Sequence, residues 1–559
     1  MPGVMTRRST PTTPRRPRLA PLRGAVAGIL AAAVALGVAE LVAGITGPLG
    51  SPVTAVGGAA IDLTPVPVKD FAITHFGSND KTALLTGILI LLAVLAVVIG
   101  AASMRWIGAG LAGLAVFGAL GIAAAVTRPS ATALDVLPTL AGVAVAAVVL
   151  LLLIRAARGT QPVLRAPSKP GTGGQAGPVE SVTAPRDQGP RTQDQGPRTQ
   201  DQASGPGRRR FLAVGAGAAV AAAATGGGGD LLLRRFSATA SRAQVRLPAA
   251  ARKAPPVPGG TRLDVDGITP FFTSAGSFYR VDTDLVLPQV PPAQWTLRID
   301  GMVEREIELS FADLLKLPLI EHDMTLVCVS NQVGGPYAGN ARWLGASLPA
   351  LLRRAGIRRG ADQVLSSATD GMTISTPVAT VMDGRQALIA VGLNGQPLPV
   401  EHGFPARMLV PGLYGYVSAT KWVTRLTVTT FAAQRAYWTQ RGYAAQAPIK
   451  TESRIDVPRP LAQVKAARVP VAGVAWAPHR GISAVEVNVD GGPWHQATLA
   501  GTDGTDTWRQ WMWPWDATPG LHTLQVRATD GTGATQTSRR AGVFPSEATG
   551  WDSVVVTVT

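Results

Sequence analysis

The chain has 559 residues, too many for one ordinary core, so several domains are expected. Hydrophobic residues make up 46% of it and aromatics only 5%, so the excess is Ala, Val, Leu and Gly, a pattern of membrane helices rather than of one very large soluble core. The formal net charge is +17, but many arginines sit in a tail and a linker beside apolar segments, with no basic stripe interleaved with aromatics, which argues against nucleic acid as a partner.

Residues 1–23 read as a basic cytoplasmic tail of Pro, Thr and Arg. Four apolar stretches follow within 24–155, at about Gly24–Ile45, Ala83–Ala102, Trp106–Val126 and Val136–Ile154. Each has the length of roughly 20 residues that a helix needs to cross a bilayer. Small residues recur in them, as in "GAGLAGLAVFGALG", and would let helix backbones approach closely. Glu40 is the acidic residue inside a span, near an end from which it reaches the interface. The arginine-rich start, the turn at Ser103–Arg105 and the segment after Ile154 share one side. The opposite loops, about 46–82 and 127–135, carry only Lys69, Lys81 and Arg128 as cations. The positive-inside rule then gives a multi-pass protein of the plasma membrane with its N-terminus in the cytoplasm.

Residues 156–207 read as a disordered linker, with "DQGPRTQ" at 187–193 and again at 194–200. The next stretch, 208–229, lies in "GRRRFLAVGAGAAVAAAATGGGG". It is either a fifth transmembrane segment or, through Arg208, Arg209, Phe211 and Leu212, resembles a twin-arginine export signal. Both readings put everything after about residue 230 on the extracytoplasmic side. From about 262 to 432 short β-branched runs such as "WTLRIDG" and "MTLVCVS" alternate with turns and a helix-like "SLPALLRRAGI", an α+β pattern. Over 450–559 the helix signals fade, and alternating strands joined by Asp-Gly turns suggest a β-sandwich.

Cys328, in "MTLVCVSNQVGG", is the one cysteine of the chain, so no intrachain disulfide is available. On residue grounds it is either a small buried hydrophobe or a soft metal ligand, and no second cysteine exists for a zinc or iron–sulfur cage.

Four segments in order carry a resemblance to the sulfite oxidase family of molybdenum–pterin enzymes, over about 262–559. "NGQPLPVEHGFPARMLVPGLYGYVSATKW", 394–422, is similar to the family's pterin-binding signature. "AGNARWLGASLPALLRRAGI", 338–357, is like the segment after the metal cysteine, and Cys328 stands where that cysteine stands. "SFYRVD", 277–282, takes the place of an early cofactor-binding stretch, departing from the more usual Arg-Asn-His. The C-terminal strands resemble the family's immunoglobulin-like domain, through which a homodimer would form. With the apolar stretches, the resemblance gives the expected multi-domain chain: an N-terminal α-helical transmembrane bundle read from the apolar runs, then, as the resemblance implies, an α+β molybdopterin domain and an immunoglobulin-like β-sandwich.

It further implies a molybdenum–molybdopterin cofactor with Cys328 as metal ligand and catalytic residue, its thiol deprotonated by the metal. The pterin's phosphate tail would be held by Arg407, a planar fork, and Lys421, a point charge, with Ser418, Thr420 and the turn at Gly412–Gly415 adding donors. His402 would bond the pterin as a neutral ring. Tyr279 and Arg280 are further cofactor-binding candidates, and Asp370 in "SATDGMTIST" is the nearest match to a polar residue the family places between cysteine and signature. Sulfite oxidation in the family relies on arginines soon after the cysteine and a tyrosine in the later loop. Here "VSNQVGG" runs on without an arginine before Arg342, and "TDGMTIST" has no tyrosine.

Sulfite is therefore not the expected best substrate. The reaction expected is two-electron oxygen-atom transfer on a small or protein-borne oxo substrate, as a sulfoxide-type reductase or a sulfite-type dehydrogenase. No haem is expected in this chain, because its apolar stretches hold no histidine and His75 lies in an outer loop. Electrons would pass to a membrane or extracytoplasmic partner. The alternative is a non-catalytic membrane-anchored binding protein built on this fold, which the presence of Cys328, Arg407 and Lys421 disfavours.

Overall fold

The apolar stretches are helices. In the computed structural model, which describes residues 20–47, 50–65, 68, 71, 80–128, 131–158, 206–234 and 237–559, they run Ala20–Thr46, Asp80–Ser103, Ile107–Val126, Leu137–Arg158 and Pro206–Leu233. Among the described residues, five helices are long and apolar enough to cross a membrane, by length and composition. Most of the basic tail, the tandem repeat and nearly all of the linker lie outside the described residues. The chain divides into two compact units. One comprises 1–39, 89–119 and 140–228; the other comprises 40–88, 120–139 and 229–559.

In the first unit the small residues act as the sequence suggests. A Cβ on Gly28 would collide with the Ala96 carbonyl, and one on Gly100 with the Gly24 carbonyl. Without those side chains the two helix backbones lie in direct contact, held by van der Waals packing.

In the second unit a helix not expected from the sequence, Pro52–Leu63, interrupts the loop between the first two long helices. Ser51 caps it by accepting from the Thr54 amide at 3.5 Å, and Pro52 at its first position suits a helix start. Ser51 also donates to the Glu40 carboxylate. That acidic residue of the first apolar helix is thus satisfied by a hydroxyl.

The same unit holds two sheets of an α+β body. The first ten strands are β1 (Thr296–Gly301), β2 (Ile307–Ser310), β3 (Leu319–Val327), β4 (Ala338–Ser347), β5 (Gln363–Ala368), β6 (Thr373–Pro377), β7 (Leu388–Leu393), β8 (Gln396–Pro397), β9 (Arg407–Leu409) and β10 (Val423–Thr429). One sheet has the order β2-β1-β10-β5-β6, with β1 and β10 parallel; the other runs β3-β4-β7-β8, with β9 added on β7. Strands β4 and β7 are covered on both faces, which is why "LIAVGL" reads as a continuous apolar run and not as an alternation. The helix seen in the sequence, Leu348–Ala355, is capped by Ser347 and ends at Gly356, φ +74°, where a Cβ would meet the Glu304 carboxylate.

The last nine strands are β11 (Glu452–Val457), β12 (Gln463–Val464), β13 (Arg468–Trp476), β14 (Ile482–Val489), β15 (His495–Gln496), β16 (Thr498–Leu499), β17 (Arg509–Asp516), β18 (Gly520–Asp530) and β19 (Asp552–Val558). They form sheets β11-β13-β17-β16 and β12-β19-β18-β14-β15, facing across one core of Val471 and Trp511 from the first and Val485, Leu524 and Val556 from the second. The Asp490-Gly491 turn after β14 has positive φ at both residues, as a two-residue hairpin turn needs.

This sandwich seats on the edge strand β3. The Thr325 amide donates to the Asp506 carbonyl at 2.8 Å, the Trp508 amide donates to the Thr325 hydroxyl at 2.7 Å, and His322 Nε2 meets the Asp506 carboxylate at 2.8 Å. An exposed sheet edge is thereby covered. The ordered body also begins earlier than residue 262. Arg242 donates to the Leu398 and Pro397 carbonyls, both at 2.7 Å, and Ala251 N donates to the Leu319 carbonyl.

Candidate active site

Cys328 is the first residue after β3, and its amide still donates to the Tyr337 carbonyl across the β3–β4 ladder. The chain then turns: Asn331 N donates to the Cys328 carbonyl at 3.0 Å, and Asn331 Oδ1 accepts from Tyr337 N at 2.8 Å. The sandwich braces this loop from below, because Arg454 of β11 donates to the Gly335 carbonyl at 2.8 Å. The thiol is therefore presented at a fixed point. It lines a cavity of about 320 Å³ and accepts from the Ser330 amide at 3.4 Å. Burial pushes the thiol pKa up, against the Ser330 donors and the Lys421 charge.

The segment 400–422 brings its cations to the same cavity. Arg407, which opens β9, is buried, stacks at 5.4 Å over the Trp343 ring, and donates through Nη1 to the His402 carbonyl and through Nη2 to the Ala419 carbonyl. Its Nε is buried with no partner, and burial draws the guanidinium down to about 10. Lys421 Nζ donates to Asp282 Oδ2 at 3.0 Å and stands 4.5 Å over the Trp422 ring; burial lowers it to about 8, against the Asp282 charge.

Gly403 makes this pairing of elements close. At φ +105° its absent Cβ would stand 3.1 Å from Lys421 Cα and 3.2 Å from Arg407 Cβ. His402 Nε2 lies 3.1 Å from the Ala275 carbonyl, so this nitrogen carries the proton; burial and the Arg407 charge hold the ring neutral with a pKa of about 4.

Cys328, Tyr279, Arg280, His402, Arg407 and Lys421 all line this cavity, as does Asp370. Two further expected residues, Ser418 and Thr420, lie off the cavity lining. Ser418 is fully buried and donates to the Leu413 and Tyr414 carbonyls, both at 3.0 Å, closing its own turn. Thr420 shares a hydrogen bond of 2.5 Å with the Ser366 hydroxyl. Neither lines the cavity, because each hydroxyl satisfies a neighbour inside the core. Of the turn at Gly412–Gly415, Gly415 lines the cavity, while Gly412 packs against Arg385 and Pro478.

Sequence reasoning passed over Asp282 and Lys81. Asp282 accepts from Lys421, from Arg280 Nε at 2.8 Å, and from Lys81, so one carboxylate faces three cations and is held well below the usual carboxylate range. Lys81 opens the helix Asp80–Ser103 and lines the cavity, with Ile61, Thr64 and Leu84 from the same part of the chain. The sequence hint was faint: Lys81 is one of few cations in a loop otherwise poor in them.

Residues 284–438 match the family model described as the oxidoreductase molybdopterin binding domain. The chain is 30% identical over 274 residues to mitochondrial sulfite oxidase of Mus musculus, covering 41% of this chain and 49% of that one. It is 31% identical over 150 residues to an uncharacterized oxidoreductase of Bacillus subtilis (strain 168), YuiH, covering 27% of this chain and 72% of that one. The chain belongs to the sulfite oxidase family of molybdopterin oxidoreductases. Among solved structures, the sulfane dehydrogenase SoxCD of Paracoccus pantotrophus aligns with a TM-score of 0.46 at 23% identity, covering 52% of this chain and 84% of that one. The matched region is about half the length of the mouse sulfite oxidase, and this member of the family adds the apolar helices described above.

The residues present fit a cofactor of the family's kind. A soft sulfur donor lies at one point of the cavity, and among the described residues the cations Lys81, Arg280, Arg407 and Lys421 and the carboxylates Asp282 and Asp370 line it. A buried guanidinium with an orphaned Nε calls for an anion.

Proposed function

We propose that this chain is a membrane-anchored molybdopterin-dependent oxidoreductase whose active domain lies on the extracytoplasmic side, performing two-electron oxygen-atom transfer. One observation carries the reading: the single thiol of the chain shares a cavity with Arg407 and Lys421, cations that approach it from a distant segment. The bound cofactor supplies the oxo-transfer and electron chemistry. Cys328 would hold the metal, and Arg407 and Lys421 would hold the phosphate of the pterin tail. His402, neutral near pH 7, would offer its unprotonated Nδ1 as an acceptor while Nε2 stays on Ala275. Tyr279, whose hydroxyl burial and the Cys328 charge keep protonated, would act as a hydrogen-bond donor beside the thiol.

The nearest arginine after the cysteine, Arg342, is bound to Asp323 at 2.7 and 2.8 Å and does not line the cavity. With that residue committed elsewhere, a neutral sulfoxide is favoured over the sulfite anion as substrate. The arginine-rich tail on the cytoplasmic side, a twin-arginine-like signal at 208–229, and an immunoglobulin-like C-terminal sandwich that pairs two chains complete the proposed organisation.

The test is metal and pterin analysis of the full-length chain, purified in detergent from a host that makes the cofactor. The expected content is about one molybdenum per chain, lost in Cys328→Ser. Wild-type protein carrying neither metal nor pterin overturns the reading. With a reduced dye as electron donor, sulfoxide reduction should exceed sulfite oxidation, assayed with an oxidised dye, by roughly tenfold or more.

A further inference from the structure

The lining of the cavity mixes two kinds of residue: Cys328, His402 and Arg407 are buried, whereas the apolar Ile61, Leu84, Met372 and Trp438 are half-buried. A small hydrophilic oxo substrate has no use for those half-buried apolar side chains. An apolar ring system does: the indole of Trp438 and the branched chains of Ile61 and Leu84 offer flat and aliphatic surfaces of the kind that enclose such ligands.

Leu84 also lies in the first turns of Asp80–Ser103, a helix whose most apolar stretch is only 11% buried and has a composition suited to hydrocarbon. The electron partner is otherwise unassigned. The five apolar helices contain no histidine to hold a haem, and among the described residues no group of three or more His, Cys, Asp or Glu could hold a second metal.

We propose that these half-buried apolar side chains form a binding site for a membrane-partitioned quinone, which exchanges two electrons directly with the cofactor site. The inference rests on the membrane-anchored oxidoreductase reading. With a sulfoxide as oxygen source and the quinol as reductant, one sulfoxide and one quinol give one sulfide, one quinone and one water. The S–O bond breaks, sulfur gains two electrons, the quinol loses two electrons and its two hydroxyl protons, and these protons leave with the oxygen as water. Lys81, which lines the same cavity, would supply a cation to the ring's oxygens.

The experiment is photolabelling of the full chain in nanodiscs with a short-chain azidoquinone, followed by peptide mapping. Label is expected on the peptides carrying Ile61, Leu84 and Trp438, competed by excess decylubiquinone. It should fall at least fivefold in Leu84→Gln but stay unchanged in Leu63→Gln, a neighbour 84% exposed and outside the cavity lining. Label spread evenly along the apolar helices, label insensitive to decylubiquinone, or equal labelling of Leu84→Gln and wild type overturns the site, and the wild-type map decides even if a variant fails to fold. Molybdenum measured on the same sample separates the two claims. Metal without localised label removes the quinone site alone, and localised label without metal removes the oxidoreductase reading alone.

Discussion

Arg407 carries opposite expectations for folding and for loading. Its guanidinium is buried without a carboxylate partner, a costly arrangement that an anion would relieve. Arg407→Met should therefore raise the stability of the cofactor-free chain, by about 1–3 kcal/mol in denaturant unfolding. The same substitution should cut molybdenum retention by roughly tenfold or more, read as metal per chain after gel filtration. Gly403→Ala should cost about 1–3 kcal/mol in the same unfolding assay, since alanine at φ +105° is strained and its methyl would press on Lys421 and Arg407. The residues in this neighbourhood were legible where the motif fixed a cation or a thiol. The hydroxyls of Ser418 and Thr420 were not, because a Ser or Thr donor takes whichever carbonyl or hydroxyl its turn presents, and sequence spacing does not say which.

Strands were the most readable elements. "WTLRIDG", "MTLVCVS" and "DSVVVTVT" all form strands, and Cys328 falls just beyond the end of β3. What the pattern hid is the cost of a buried charge within an alternating strand. Glu452 of β11 is buried beside Glu547 and Asp552, and its carboxyl is pushed up to about 8 from an ordinary 4.5. A raised carboxyl pKa in the folded state means that stability is full below pH 4.5, where both states are protonated, and is lost as pH rises through 8. Glu452→Gln should melt several degrees above wild type at pH 8.5, with the gap closing by pH 5, as followed by circular dichroism of the full chain. The helix Pro52–Leu63 was missed for a different reason. Its twelve residues are rich in Gly and β-branched side chains, poor helix formers, so its stability rests on caps and tertiary contacts that propensity cannot show. One of those contacts is Asp62, which accepts from the Tyr437 hydroxyl at 2.7 Å.

Over the whole chain, composition announced the long apolar helices, because a run of about 20 apolar residues has few other uses. It could not announce that Ile61, Lys81 and Leu84 reach the same cavity as residues numbered near 280, 328 and 438, a juxtaposition only tertiary packing creates. Removing residues 1–205 deletes that wall. In cofactor-free protein, Cys328 of the truncated chain should react with a neutral maleimide roughly tenfold faster than in the full chain, as its surroundings open to water. Equal rates would mean that the N-terminal region does not shield the site.

The shared grip of Asp282 on Lys81, Arg280 and Lys421 has a consequence for how lesions in this chain should be interpreted. A substitution that unseats the start of the second apolar helix strips one positive partner from a carboxylate, which then holds Lys421 more firmly against its own oxygen and away from any incoming phosphate. Damage in what looks like a tether should surface as failure to retain the prosthetic group. A screen scored only by the amount of chain produced would pass such variants as healthy.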